Sequence, residues 1–215
     1  MKLSRHRGFS LLELMVVVSI GFALACMSVL TLLTLMNKSH VDNAYDTTLE
    51  VLRNTRHLAI TQSHQYYVSF NPTGGFPSTA AFPAGTIEVT YQPPAVGGIL
   101  PAVQEVAVYT LPPDISFNVL TGFPINAPDS FGSGLTAIDF GQQLGAGSLQ
   151  YVSFMPDGSA QDSLGNYNSG ILYLIRTGTT DITASRAVTV WGATGRVRGW
   201  RLYSAGAGAY TWKQQ

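Results

Sequence analysis

The hydrophobic pattern along the chain changes first near Met36. From Phe9 to Met36 most positions are apolar, and Glu13 is the only charged residue. About 20 apolar residues are enough for a helix to cross a membrane, so the stretch predicts a membrane-spanning helix over about residues 9–36. No proline occurs before Pro72, so no residue in this part of the chain forces a break in the helix.

After Met36 the pattern becomes amphipathic. Apolar or small side chains recur at helical spacing, and charged residues lie between them. We therefore predict one continuous helix over 9–62, whose second part packs one face against the rest of the protein. The positions of that face are Val41, Ala44, Tyr45, Thr48, Leu52, Thr55 and Ala59.

Beyond the helix, short apolar or alternating runs are separated by turn signals such as Pro-Asp-Gly, Gly-Asn and Thr-Gly. This spacing is typical of antiparallel hairpins. The fold class expected is α+β, with the long N-terminal helix packed on an antiparallel β-sheet head over residues 63–215. The predicted strands are 66–70, 86–91, 103–111, 115–120, 137–140, 149–155, 170–176, 186–191 and 196–203.

Charge is balanced overall but unevenly distributed. The chain has 12 basic and 12 acidic residues. Between Arg56 and Arg176 there are acids but no Lys or Arg, whereas from Arg176 onward Asp181 is the only acid. An acidic middle and a basic end indicate contact with a partner or with each other.

Three basic residues, Lys2, Arg5 and Arg7, precede the apolar stretch. Because positive charge stays on the cytoplasmic side, the N-terminus is expected in the cytoplasm and the rest beyond the membrane. The competing interpretation is an ordinary secretory signal cut near Ala23 or Ala25, but the apolar run continues well past those residues.

The stretch "RGFSLLE" (7–13) resembles the leader of type IV pilins and pseudopilins, in which a basic leader ends in glycine and a glutamate stands at the fifth position after it. The resemblance implies that residues 1–8 are a leader peptide, cleaved between Gly8 and Phe9 by a prepilin peptidase. It also implies N-methylation of Phe9.

Glu13 needs a reason to lie in an apolar helix, because a charge deep in hydrocarbon costs about 2.5–3.5 kcal/mol on insertion scales. A favourable interaction with the helix dipole offsets only about 0.3–1 kcal/mol. The resemblance implies a stronger partner, namely the positive α-amino group of a neighbouring subunit's Phe9, with Glu13 acting in assembly.

The far end of the chain adds a second resemblance. "VSFMPDGSA" (152–160) and "RAVTVWGATGRVRGWRL" (186–202) are similar to the C-terminal pattern of the GspH/FimT family of minor pseudopilins, in which one strand ends in Pro-Asp-Gly and a later one carries Gly-Arg-x-Arg. Residues 74–147, rich in proline and glycine, carry no part of this resemblance. The matching residues are Pro156, Asp157, Gly158, Gly195, Arg196 and Arg198.

The sequence has few of the residue types that common catalytic sites use. The histidines stand at positions 6, 40, 57 and 64, and the one cysteine is Cys26, so the predicted strands from residue 66 onward have neither residue type. Neither a Ser-His-Asp triad nor a usual zinc site can form there. We expect no enzyme activity, no cofactor and no metal.

The basic strand near the C-terminus offers a possible nucleic-acid surface. Alternation along a strand places Arg196, Arg198 and Trp200 on one face and Arg201 on the other. Guanidinium groups and an aromatic ring are groups that bind phosphates and stack bases, and the resemblance adds DNA uptake by some pilus-related proteins. The alternative is a solvated face whose arginines pair with the acidic middle.

The function expected is that of a minor pseudopilin, a structural subunit of a type II secretion pseudopilus or a type IV pilus. It would span the bacterial inner membrane once, with a cytoplasmic N-terminus and a periplasmic head, and contact other pilin or pseudopilin subunits. The alternative is a DNA-binding minor pilin for DNA uptake in natural transformation. A third class is a membrane-anchored binding domain that never assembles.

Overall fold

The structure, a computed structural model, describes residues 10–124, 127–132, 136–141, 149–162, 164–206 and 208–215, with the backbone only for 29–38. A single α-helix, α1, runs from Leu11 to Gln62. It ends because Ser63 adopts a left-handed φ of 55° and the amide of His64 donates to the Ala59 carbonyl at 3.3 Å, which closes the last turn.

The strands after the helix form two antiparallel sheets rather than one, which the sequence did not predict. The strands are β1 Gln65–Phe70, β2 Thr86–Gln92, β3 Gln104–Thr110, β4 Ile115–Phe117, β5 Ile138–Phe140, β6 Tyr151–Phe154, β7 Gly170–Arg176, β8 Arg186–Trp191, β9 Arg196–Gly206 and β10 Ala209–Gln214. The smaller sheet has the order β3-β2-β1-β6, and the larger has β10-β9-β8-β7-β4, with β5 also paired to β7.

The main core joins the amphipathic part of α1 to both sheets. All seven positions expected on the inward face of the helix are buried. The apolar ones among them share one cluster with side chains such as Val68 of the smaller sheet and Leu172 of the larger sheet. The helix thus supplies core that short strands cannot make by themselves, and the predicted α+β class is confirmed.

A second, smaller cluster covers the opposite face of the larger sheet. Ile171 and Tyr173 of β7 lie at its centre, and Trp212 of β10 packs against Tyr173 with ring centroids 5.7 Å apart. Strand β10 was not among the predicted strands. It is a largely exposed strand in which half-buried Tyr210 and Trp212 alternate with exposed residues.

The chain divides into two compact units, Met1–Ser39 and His40–Gln215. The second, called the C-terminal unit below, includes the part of α1 that contributes to the core. The C-terminal unit therefore begins before residue 63, where the sequence pattern placed the start of the head.

Candidate functional site

The apolar part of α1 carries the first candidate site. Leu11–Ser28 is long and apolar enough to cross a membrane, and its side chains are exposed within the chain. Glu13 lies in the first turn of the helix, exposed among apolar neighbours. Gly8 and Phe9, the predicted processing residues, lie outside the described residues.

The second candidate site is the junction of the two C-terminal motifs. The Pro-Asp-Gly loop and Gly195 contact each other, since a Cβ on Gly195 would overlap the carbonyl oxygen of Gly158. Arg56 of α1 joins them: its Nε donates to that same carbonyl at 2.9 Å. The structure therefore brings the two motifs together on the helix, through an arginine that the sequence pattern had not singled out.

Asp157 shapes the loop at this junction. Its carboxylate accepts hydrogen bonds from the hydroxyl of Ser159 and from the backbone amide of Ser159, the latter at 2.8 Å. These bonds favour the ionised form and lower the pKa of Asp157 below the usual value. Gly158 follows with a φ of 81°, a conformation suited to glycine.

Arg198 and Trp200 of β9 are tied into a polar network. Arg198 Nη1 donates to Asp129 Oδ1 at 2.6 Å, and the Asp129 carboxylate is almost fully buried. Thr189 Oγ1 donates to Asp129 Oδ2 at 2.6 Å and accepts from Trp200 Nε1 at 3.0 Å. The Arg198 guanidinium also lies 5.6 Å from the centre of the Trp191 ring.

This network fits the second interpretation of the basic strand, in which its arginines pair with the acidic middle. Arg198 is paired with an acid of the middle segment, and Trp200 is half-buried against the second cluster. Both side chains are therefore engaged in contacts within the C-terminal unit. DNA binding through Arg196, Arg198, Trp200 and Arg201 stays a prediction, and these four side chains do not form one open patch.

The opposite face of β9 packs against the helix. Val197 belongs to the main core, and Gly199 faces Tyr45 so closely that a Cβ there would overlap the Tyr45 hydroxyl. Burial raises the pKa of Tyr45. The alternation of faces expected for this strand is present, and Arg201 stands opposite Arg186 and Lys213 in the ladder.

Metal chemistry finds no support in the described part of the chain. Among those residues no group of three or more His, Cys, Asp or Glu side chains is placed to hold a metal ion.

Comparison with known proteins bears on the N-terminus. The family model described as the prokaryotic N-terminal methylation motif matches residues 3–27. The predicted pilin-type leader is confirmed by this match, and the chain carries a methylation motif that leads into an apolar helix.

No curated protein matches the chain. Among solved structures, the chain is similar to the type IV minor pilin FimU of Pseudomonas aeruginosa, with 9% sequence identity, a TM-score of 0.42, and coverage of 76% of this chain and 90% of that one.

Proposed function

We propose that the chain is a minor pilin or pseudopilin, a structural subunit that joins a filament at the bacterial inner membrane. The observation that carries this proposal is the methylation motif over residues 3–27 continuing into an exposed apolar helix that holds one carboxylate. The GspH/FimT type is supported by the two C-terminal motifs, whose glycines are in contact.

Processing follows from the motif. A prepilin peptidase cuts between Gly8 and Phe9 on the cytoplasmic face, and Phe9 is then N-methylated. The basic residues before the cut keep the leader in the cytoplasm, so the C-terminal unit lies in the periplasm.

Assembly depends on Glu13. In an isolated helix in lipid the Glu13 carboxylate has no partner, and its burial is costly. In a filament it pairs with the α-amino group of a neighbouring subunit's Phe9. The other subunits are pilins or pseudopilins with the same kind of N-terminal helix. The filament belongs to a type II secretion system or to a type IV pilus.

A structural role fits the residues of the C-terminal unit. Residues 65–215 have neither histidine nor cysteine, so the common nucleophile–base pairs are absent from the sequence of the sheets. Two charged groups of this unit, Arg198 and Asp129, are used in a contact within it.

Substitution of Glu13 tests the proposal. Glu13→Ala and Glu13→Gln should insert into the membrane at least as well as wild type, because the cost of about 2.5–3.5 kcal/mol is removed. Both should lose most crosslinks to other pilin subunits, as measured with a photoreactive residue placed in the apolar helix of cells that express the whole filament system.

Glu50→Gln is the matched control, since Glu50 is an exposed carboxylate of the same helix within the C-terminal unit. It should crosslink like wild type. Wild-type crosslinking in both Glu13 variants would contradict the assembly role.

A further inference from the structure

Three arginines surround an open groove on the C-terminal unit. The groove has a volume of about 430 Å³. Two of the arginines, Arg53 and Arg56, come from α1, and the third, Arg196, from the start of β9. We call it the arginine groove; it is lined by Arg53, Arg56, Thr194, Gly195, Arg196 and Val197.

The groove is built on fixed backbone. Arg56 is held by its Nε bond to the Gly158 carbonyl at 2.9 Å, which leaves its terminal NH₂ groups for other acceptors. The turn that carries Arg196 is closed by a bond from its backbone amide to Thr194 Oγ1 at 3.3 Å. A Cβ on Gly195 would lie only 2.8 Å from Arg56 Nε, so this turn is packed directly against the arginine.

The positive charge of the groove is not neutralised by the described part of the chain. There, no carboxylate oxygen lies within 4.0 Å of the guanidinium groups of Arg53, Arg56 or Arg196. Asp157 is close in sequence to the groove, but its carboxylate is bonded to Ser159.

Three other arginines of this unit behave differently. Each lies within 4.0 Å of an aspartate: Arg176 pairs with Asp114, Arg186 with Asp42 and Arg198 with Asp129. Like charges three residues apart on a helix repel each other, as Arg53 and Arg56 must. Uncompensated arginines converging on one groove are therefore suited to an anion from outside the chain.

We propose that the arginine groove binds an acidic side chain of another protein, which, given the proposed function, is a neighbouring filament subunit. Guanidinium forks match carboxylates in bidentate geometry. The remaining lining, Thr194, Gly195 and Val197, is uncharged and accommodates the apolar stem of a glutamate or aspartate.

A nucleic acid fits the groove less well. Binding of a phosphate backbone draws on a continuous basic surface with several phosphate contacts. Here the formal net charge of the chain is zero, and Arg198, the next arginine along β9, is neutralised by Asp129.

Binding of labelled probes to the full-length chain in detergent micelles tests this proposal. The first probe is a fluorescein-labelled ten-residue peptide with four glutamates spaced by glycine and serine, and the second has glutamine in place of each glutamate. A labelled twelve-nucleotide oligothymidine is the third. Fluorescence anisotropy is measured at about 50 mM salt, where screening of exposed charges is modest.

The wild-type chain should bind the glutamate peptide at least about tenfold more tightly than the glutamine peptide. Arg53→Gln combined with Arg196→Gln should remove most of that preference. The single variant Arg53→Glu, which reverses one exposed charge, should also remove most of the preference for the glutamate peptide. It serves as a second test in case the double variant does not fold. The matched control, Arg201→Gln combined with Lys213→Gln, removes the same charge elsewhere on β9 and β10 and should change the affinity less than about twofold.

Equal binding of the two peptides, or wild-type binding by both groove variants, would overturn the proposal. So would tighter binding of oligothymidine than of the glutamate peptide with loss in the groove variants, which would make the groove a nucleic-acid site. The assay uses purified chain without a filament. Its failure is thus distinct from a failure of leader processing or assembly.

Discussion

Two stretches of helix α1 have the same backbone and different surroundings for their apolar side chains. Between Leu11 and Ser28 the large apolar residues are exposed within the chain, as Leu24 is at 61%. In the C-terminal unit the apolar residues of α1 form one stripe, and Leu52 in that stripe is fully buried. A helix that is apolar all round calls for lipid or other helices, whereas an amphipathic one packs on its own domain.

The two stretches also differ in whether their contacts lie inside or outside the chain. The packing of the amphipathic stretch is an internal property, because the sheets that cover it belong to the same chain. The exposed apolar stretch has its proposed partners outside the chain, in the membrane and in neighbouring subunits. Substitutions of one residue type in both stretches should therefore differ in their effect on unfolding of the C-terminal unit.

The largest difference is expected for leucine. Leu52→Ala should lower the free energy of unfolding of the C-terminal unit by about 2–5 kcal/mol, since it leaves a cavity in the main core. Leu24→Ala should change it by less than about 0.5 kcal/mol. Urea unfolding in micelles, followed by tryptophan fluorescence, measures both, because Trp191, Trp200 and Trp212 all lie in that unit. Equal losses of unfolding free energy in the two variants would contradict the predicted difference between the two stretches.

Glycine gives the next largest difference. Gly199→Ala should cost about 1–3 kcal/mol, because the new methyl group overlaps the buried Tyr45 hydroxyl and the core must shift. Gly21→Ala meets no atom within 4 Å of its Cβ. It should leave unfolding of the C-terminal unit unchanged and favour the helix locally by about 0.5–1 kcal/mol. The same urea titration measures the free energy of unfolding of both variants. A Gly199→Ala variant as stable as wild type would show that Tyr45 is not packed on β9.

The smallest effect concerns pH and the Pro-Asp-Gly loop. The pKa of Asp157 is lowered by hydrogen bonds from Ser159. A lowered folded-state pKa gives stability that is present above the unfolded-state value near 4 and is lost as pH falls through the folded value. The stability advantage of wild type over Asp157→Asn should therefore be constant above about pH 5 and shrink below about pH 4.

Thermal unfolding of both proteins across this range measures the effect. Glu105→Gln, a change at an exposed carboxylate of β3, is the control and should show no such convergence. An advantage independent of pH down to about pH 3 would contradict the assignment.

Much of the fold was predictable because its signals are local. The inward helix positions follow from helical periodicity, and the faces of β9 follow from simple alternation, with Val197 inward and Arg198 outward. The division into two sheets was not predictable, since strand pairing depends on contacts between distant residues. Strand β10 was missed although half-buried Tyr210 and Trp212 alternate with exposed residues in it, and Trp212 packs on Tyr173 of a strand distant in the sequence.

The candidate sites likewise depend on contacts between residues that are distant in the sequence. Arg198 and Asp129 are 69 residues apart, and Arg56 and Gly158 are 102 apart. No spacing rule connects such pairs, so the sequence left open whether Arg198 binds a nucleic acid or pairs with the acidic middle, and it gave no reason to consider Arg56. The leader could be recognised because order, spacing and the lone glutamate all lie within a few residues.

The N-terminus of the mature chain tests the proposed pilin function most directly. Mass spectrometry of the membrane form, purified from cells with a prepilin peptidase, should find a chain that begins at Phe9 and carries one added methyl group on its α-amino nitrogen. Replacing Gly8 with a bulky residue should leave the chain uncut. An intact Met1 start in the wild-type protein, or a start after Ala25, would contradict the account.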